Sequence, residues 1–306
     1  MDSRPCTISR KTFRIAMTKK TLGQYYTTTN PFGGEAYEKW KSIIPNTTIL
    51  EPFAGAGHLF KYIDANWVGY DIQPNHQNII QRDTIKDFPK GFKVCITNPP
   101  YLAKNSASRR KLNVSIKRSD LYLDCLELML ENCDYVCAII PSTFYRTGLF
   151  RERLFAWDKM DCLLFNDTDA PAGVAYFVPE KTNTSLYVNG ESIIKAELNE
   201  KIDLKFNVEY GNYVLNGIDT TLNDNISISD DILSFNKEKY LKNTSRNYVL
   251  FYSPVPLDIE KTNKNIKEWR LKTKDFNLTS FKSLQKSGKY RKRISFNEVS
   301  RLVIKK

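Results

Sequence analysis

Short apolar runs, each closed by a polar or glycine-bearing turn, recur through the first 180 residues at spacings that suit alternating strands and helices. Residues 47–50, 67–71, 94–97 and 135–141 read as strands. Those at 94–97 and 135–141 are apolar almost throughout, the pattern of strands buried on both faces. Between them, residues 35–44, 58–65 and 119–130 read as helices, and Asn30-Pro31 resembles an N-cap and first position for the first of these. This alternation predicts an α/β fold. The pattern breaks at Pro179-Glu180-Lys181-Thr182-Asn183. We therefore expect an extension over 1–20, a first domain over 21–181 and a smaller one over 182–306. In the second, 185–188 and 210–215 are strand-like and the topology is not legible, but Ile294, Phe296, Val299, Leu302 and Ile304 favour a folded end.

The strand at 94–97 runs into Asn98-Pro99-Pro100-Tyr101. Open α/β sheets bind ligands at the carboxyl ends of their strands, so this tetrapeptide falls where chemistry is done. An aromatic amine is a poor nucleophile because its lone pair is delocalised. Two acceptors aimed at its hydrogens would draw the nitrogen toward tetrahedral geometry: the Asn98 side-chain oxygen and the Pro99 carbonyl, held by consecutive prolines. Tyr101 can stack on the ring that carries the amine. With a sulfonium as methyl donor no strong base is needed, and alignment carries the work. A plain Pro-Pro turn after a strand is the competing reading.

Two further segments bear on that choice. Leu50-Glu51-Pro52-Phe53-Ala54-Gly55-Ala56-Gly57 places glycines in a strand-to-helix turn, where backbone can approach a ligand closely. Trp67-Val-Gly-Tyr-Asp71 ends in an acid 20 positions after Glu51, where nucleotide-binding α/β folds hold ribose hydroxyls. Asp83 follows Ile79-Ile80 and reads either as an acceptor for an adenine amino group or as a cap or surface acid. Upstream, Thr21-Leu-Gly-Gln-Tyr-Tyr-Thr27 is by itself only a loop leading to a helix.

The order Gly-Gln-Tyr-Tyr-Thr, Glu-Pro-Phe-Ala-Gly-Ala-Gly, Asn-Pro-Pro-Tyr resembles the adenine-N6 DNA methyltransferases of restriction-modification systems, specifically their gamma class, over roughly residues 21–180. The resemblance implies a seven-stranded, doubly wound, mostly parallel sheet with a C-terminal recognition domain. S-adenosylmethionine is then the donor, and N6 of an adenine flipped out of duplex DNA the acceptor. Thr27 and the turn at Glu51, Ala54 and Gly55 would hold the methionine portion, Asp71 the ribose and Asp83 the adenine, with Tyr26, Phe53, Gly57 and Ile72 also in the donor site. Asn98, Pro99, Pro100 and Tyr101 would form the catalytic loop, with Asn98 also bordering the donor. A late aromatic, Phe177 or Tyr176, would stack on the target base, although both equally read as core. Methylation of an RNA base, of a protein glutamine or of cytosine N4 uses the same geometry and stays open. The resemblance also leaves room for a separate cognate endonuclease, and we expect a monomer.

Charge sharpens the nucleic-acid reading. The chain of 306 residues carries a net +12. From residue 237 onward there are 19 Lys and Arg against 6 Asp and Glu, whereas the remainder has 27 against 28. The excess is therefore entirely C-terminal, as in a phosphate-binding surface. Lys289, Arg291, Lys292 and Arg293 are its densest cluster, and Arg109, Arg110 and Lys111 lie in a second basic stretch, residues 104–118, that contains no acid. Six cysteines show no CxxC pairing, and only His58 and His76 are present, which argues against a metal site or a Ser-His hydrolase. No run reaches transmembrane length and no apolar leader is evident, so a cytoplasmic protein is expected.

Overall fold

The structure, a computed structural model, describes residues 27, 29–166, 168–241 and 245–306. In chain order the larger unit comprises α1 (Glu35–Lys41), β1 (Ile49–Glu51), β2 (Trp67–Asp71), β3 (Ile79–Gln81), β4 (Val94–Thr97), α2 (Lys104–Arg109), α3 (Leu121–Asn132), β5 (Tyr135–Pro141), β6 (Leu154–Lys159), β7 (Ala172–Phe177), β8 (Ser185–Val188) and β9 (Glu191–Ser192). The strands form one sheet in the order β3-β2-β1-β4-β5-β7-β6-β8-β9. β1 to β5 are parallel, and β7 runs antiparallel between β5 and β6. Strand order reverses between β1 and β4, which opens a crevice at their carboxyl ends.

Alternate residues of the central strands feed two cores. Leu50, Cys95, Val136, Ala138 and Ile140 pack on the face covered by α3, while Ile49, Val94, Ile96, Cys137 and Ile139 face α1. Period-two alternation with both sides apolar explains why these strands read as continuous hydrophobic runs. Asp120 caps α3, accepting from the Tyr122 N–H.

Three expectations change. The sheet has nine strands rather than seven, because β8 and β9 continue it to Ser192, past the boundary placed at 181. Residues 58–65 form only a three-residue 3-10 turn, Phe60–Tyr62, since the few residues before β2 cannot support a nucleated helix and Phe60 stacks on Trp67. The first helix starts at Glu35, not at Pro31: Asn30 Oδ1 accepts from the Phe32 N–H in a local turn instead of capping.

The remainder of the chain builds a four-stranded antiparallel sheet from β10 (Lys205–Phe206), β11 (Tyr213–Asn216), β12 (Ser227–Ser229) and β13 (Tyr248–Tyr252), with α4 (Lys237–Tyr240) before β13. Helix α5 (Ile259–Thr273), the hairpin β14 (Thr279–Leu284)–β15 (Tyr290–Arg293) and α6 (Phe296–Leu302) complete it. Leu215, Val249, Phe251, Ile266, Trp269 and Val299 share one core. Arg270 ties α5 to the β11–β12 loop through Asp219, at 2.8 and 2.9 Å, and to the turn before the hairpin through Asp275. No helix among the described residues is long and apolar enough to cross a membrane.

Candidate active site

A cavity of about 360 Å³ opens at the carboxyl ends of β1, β2 and β4. Thr27, Glu51, Phe53, Ala54, Gly55, Asp71, Ile72, Asp83, Asn98 and Pro100 all line it. Residues spread over more than 70 positions are thus gathered at the crevice where the strand order reverses.

The turn after β1 is shaped by Asp71. Its Oδ2 accepts from the Gly55 N–H at 2.8 Å and its Oδ1 from the Gln73 N–H at 2.7 Å, so the acid fixes the glycine turn from the neighbouring strand. Gly55 and Gly57 have positive φ, 54° and 73°. Gly57 does not itself line the cavity; a Cβ there would meet the Phe60 ring at 2.9 Å, so its contribution is to the turn. Thr84 donates to the Pro52 carbonyl at 2.8 Å and joins the loop after β3 to the same turn.

Glu51 is 1% exposed. Thr97 Oγ1 and the Phe53 N–H donate to its Oε1, whereas Oε2 has no partner among the described residues. Burial pushes this carboxyl up to about 8, with the nearby Asp71 charge adding to the shift and the Thr97 hydroxyl opposing it. Asp83 is half-buried and pairs with Lys86 at 2.8 Å.

In the loop after β4, Asn98 Nδ2 donates to Thr27 Oγ1 at 3.4 Å, which orients the amide. Pro99 is buried beneath it and Pro100 lines the cavity. The Tyr101 hydroxyl donates to the Ile139 carbonyl of β5 at 2.8 Å, and its ring meets Tyr122 and Phe165 edge-on at 6.1 and 6.2 Å. Tyr26 lies outside the described residues.

Phe177 does not fit a stacking role. It pairs with Val136 at the amino end of β5, far from Asn98, and is fully buried against Phe144. Tyr176 is equally buried, packed on Trp40. The fold brings to Tyr101, besides Tyr122, the ring of Phe165 in the β6–β7 loop, which bridges Thr27. Nothing in the local sequence marks it, because its position depends on that long-range bridge. His58 and residues 113–115 also line the cavity, although the sequence gave them no part in it.

The C-terminal hairpin sits at the same edge of the sheet. Tyr290 donates to the Ala170 carbonyl at 3.4 Å, and Arg146, just after β5, donates to Thr279 at 2.7 Å and to the Asn277 carbonyl. Only some of the expected cations remain available there. Lys289 is exposed, as are Lys282 and Lys286. Arg291 Nε donates to the Asp219 carbonyl at 2.8 Å, and Arg293 lies over the Phe281 ring at 4.9 Å. Lys292 is 2% exposed and ion-paired to Asp161, which removes it from any phosphate-binding surface. The alternation of β15 explains this: Tyr290 and Lys292 turn inward while Arg291 and Arg293 are half-exposed. Arg109, Arg110 and Lys111 are exposed.

The α/β sheet thus reverses its strand order at an acid-lined cavity, with the Asn-Pro-Pro-Tyr loop on its rim. Residues 56–161 match the family described as Eco57I restriction-modification methylase. That segment holds Asp71 and the Asn98 loop. Among solved structures it is similar to a type I restriction-modification methyltransferase subunit from Streptococcus thermophilus, at 13% identity and TM-score 0.35 over 50% of this chain and 44% of that one. The type I restriction enzyme EcoKI M protein matches at 15% and 0.34, over 47% and 44%. The type IIG restriction endonuclease BpuSI matches at 18% and 0.33, over 48% and 25%. The chain spans less than half the length of these proteins. No curated protein matches it.

Proposed function

We propose that this protein transfers a methyl group from S-adenosylmethionine to N6 of an adenine extruded from duplex DNA. The observation that carries the reading is the convergence of Glu51, Asp71, Asp83 and Asn98 on one cavity at the crevice. The residues suit the donor. The Glu51 Oε2, buried without a partner among the described residues, fits a cationic ammonium; Asp71 retains acceptor capacity beyond its two backbone bonds; Phe53, Leu59 and Ile72 supply apolar walls for a base. When bound, that donor supplies a methyl group already activated on a sulfonium. The chain's own task is then positional: Asn98 and the Pro99 carbonyl accept the two amino hydrogens, and the ring of Tyr101, pinned through its hydroxyl, flanks the base. Extruding the base costs a few kcal/mol, offset by phosphate contacts from the cationic hairpin and from residues 104–118.

Asn98→Ala removes one acceptor and no donor contact of comparable weight. The expected result is a fall in methyl transfer of at least ~100-fold, the scale of losing one transition-state hydrogen bond in a preorganised site, with S-adenosylhomocysteine affinity changed less than about threefold. Labelled donor incubated in parallel with duplex DNA, RNA, a glutamine-bearing protein and cytosine-only acceptor sites checks the substrate. Near-normal turnover by Asn98→Ala would remove the catalytic assignment, and label on RNA or protein alone would replace DNA as substrate.

A further inference from the structure

A second cavity, of about 260 Å³, opens between the nine-stranded sheet and the C-terminal unit. One side is formed by Ser142, Thr143 and Arg146 after β5, with Trp157 and Lys159 of β6; the other is the run from Phe276 to Ser280 that leads into β14. Its charge is lopsided. Arg146 donates to Thr279 Oγ1 at 2.7 Å and to the Asn277 carbonyl, and no carboxylate among the described residues pairs with it. Lys159 gives its ammonium to three carbonyls and likewise has no ion pair among the described residues. Burial, Lys292 and Arg146 push that ammonium down to about 7, although Asp161 and Asp275 oppose them. Arg293 of β15 is also held below its usual value, by burial and then by Arg246 and Arg146. The acid in the lining, Glu298, already accepts the Ser295 N–H at 2.8 Å. Cations gathered without matching acids repel one another, and an anion among them removes that repulsion.

We infer that this cavity binds a phosphate group, seated on the Arg146 guanidinium and the Ser142 and Thr143 hydroxyls. A planar guanidinium offers parallel N–H donors that match two phosphate oxygens, and hydroxyls from both sides, Ser280 included, meet the others. Lys159 supplies charge rather than a direct bond, since its three N–H groups are spent on carbonyls. Trp157, Phe276 and Leu278 line the same space, and beside apolar groups each contact to the anion is stronger than in water. The volume admits a tetrahedral anion together with several waters, each of which takes roughly 30 Å³. This chemistry has two sources, a diester of the DNA backbone and a free phosphate. β5 is the parallel neighbour of β4, so the cavity lies along the sheet edge that carries Asn98, where a strand presenting a base would pass. The DNA source rests on the function proposed above; the phosphate site itself does not.

The test is calorimetric titration of the full chain with inorganic phosphate at pH 7 and constant ionic strength. The expected result is saturable binding at one site with a Kd of about 1 mM or tighter. Arg146→Gln should weaken it at least ~tenfold, the scale of a charge-assisted hydrogen bond, and Thr143→Val, at an exposed position, about threefold, the scale of a neutral one. Lys267→Gln, exposed on α5 and outside the lining, should leave it within about twofold, which separates a built site from general attraction to a basic protein. A saturating mixed-sequence duplex then tells the sources apart. Displacement of phosphate by the duplex identifies the backbone diester as the occupant, and Arg146→Gln then also lowers the slope of log DNA affinity against log salt by about 0.9. Phosphate affinity unchanged with the duplex bound identifies a free phosphate. Absence of saturable phosphate binding, or binding that both Arg146→Gln and Thr143→Val leave unchanged, overturns the inference. Neither of those results touches methyl transfer, which labelled donor reads separately.

Discussion

Glu51 carries a pH signature set by its burial. In the free protein its carboxyl titrates at about 8 because it is buried, against a usual value near 4.5. An acid whose folded-state value is raised contributes stability fully below its unfolded value and loses it as pH rises through the folded one. The free protein should therefore lose stability between about pH 5 and 9, and Glu51→Gln should flatten that slope in denaturation series across the range. Donor binding should reverse the preference, since an ammonium beside Oε2 favours the ionised carboxylate. At pH 7 binding then releases close to one proton, affinity rises from pH 6 to 8, and Glu51→Gln abolishes the release. Calorimetry in buffers of different ionisation enthalpy reads this directly, and no proton release in the wild type would remove Glu51 from the donor site.

At the level of elements, β6 is the seam between the nine-stranded sheet and the C-terminal unit. Lys159, at its end, donates to the carbonyls of Asp275, Phe276 and Leu278 at 2.9, 3.0 and 2.6 Å, all in the turn after α5. Asp161, two residues on, takes the buried Lys292 of β15. Asp161→Ala leaves that ammonium buried without its carboxylate and should cost about 3–5 kcal/mol in urea denaturation, while Asp161→Ala with Lys292→Met should recover much of the loss. The same seam shows where sequence reading stops. Strands β1, β2, β4 and β5 and the loop at Asn98 were legible because apolar runs and local motifs encode them within ten residues. The fate of Lys292 was not, since its charge is visible in the chain but its face depends on the register of β15. The burial of Phe177 was not legible for the same reason: where it sits is decided by the pairing of β7 across the sheet. The C-terminal topology escaped because β13 pairs with β10 and β11 across more than thirty residues and the strands are as short as two.

Over the whole molecule, the C-terminal excess of positive charge divides into two populations with different duties. Arg270 and Lys292 are spent on Asp219, Asp275 and Asp161 inside the fold, whereas Lys282, Lys286 and Lys289 face water at the sheet edge that carries Asn98. The two groups make separable predictions. Each lysine that meets a phosphate contributes about 0.9 to the slope of log affinity against log salt. Replacing the three exposed lysines by Ala should therefore lower the slope by up to ~2.7 and weaken binding to all sequences alike, with thermal stability little changed. Lys292→Met should do the opposite: the slope stays as in the wild type, and the melting temperature falls because Asp161 is left buried and unpaired. Fluorescence anisotropy on labelled duplex from 50 to 300 mM salt, beside thermal melts of the same proteins, reads both. A slope unchanged by loss of the three exposed lysines would mean that the hairpin is not the phosphate-binding surface, and DNA would then have to approach over residues 104–118 alone.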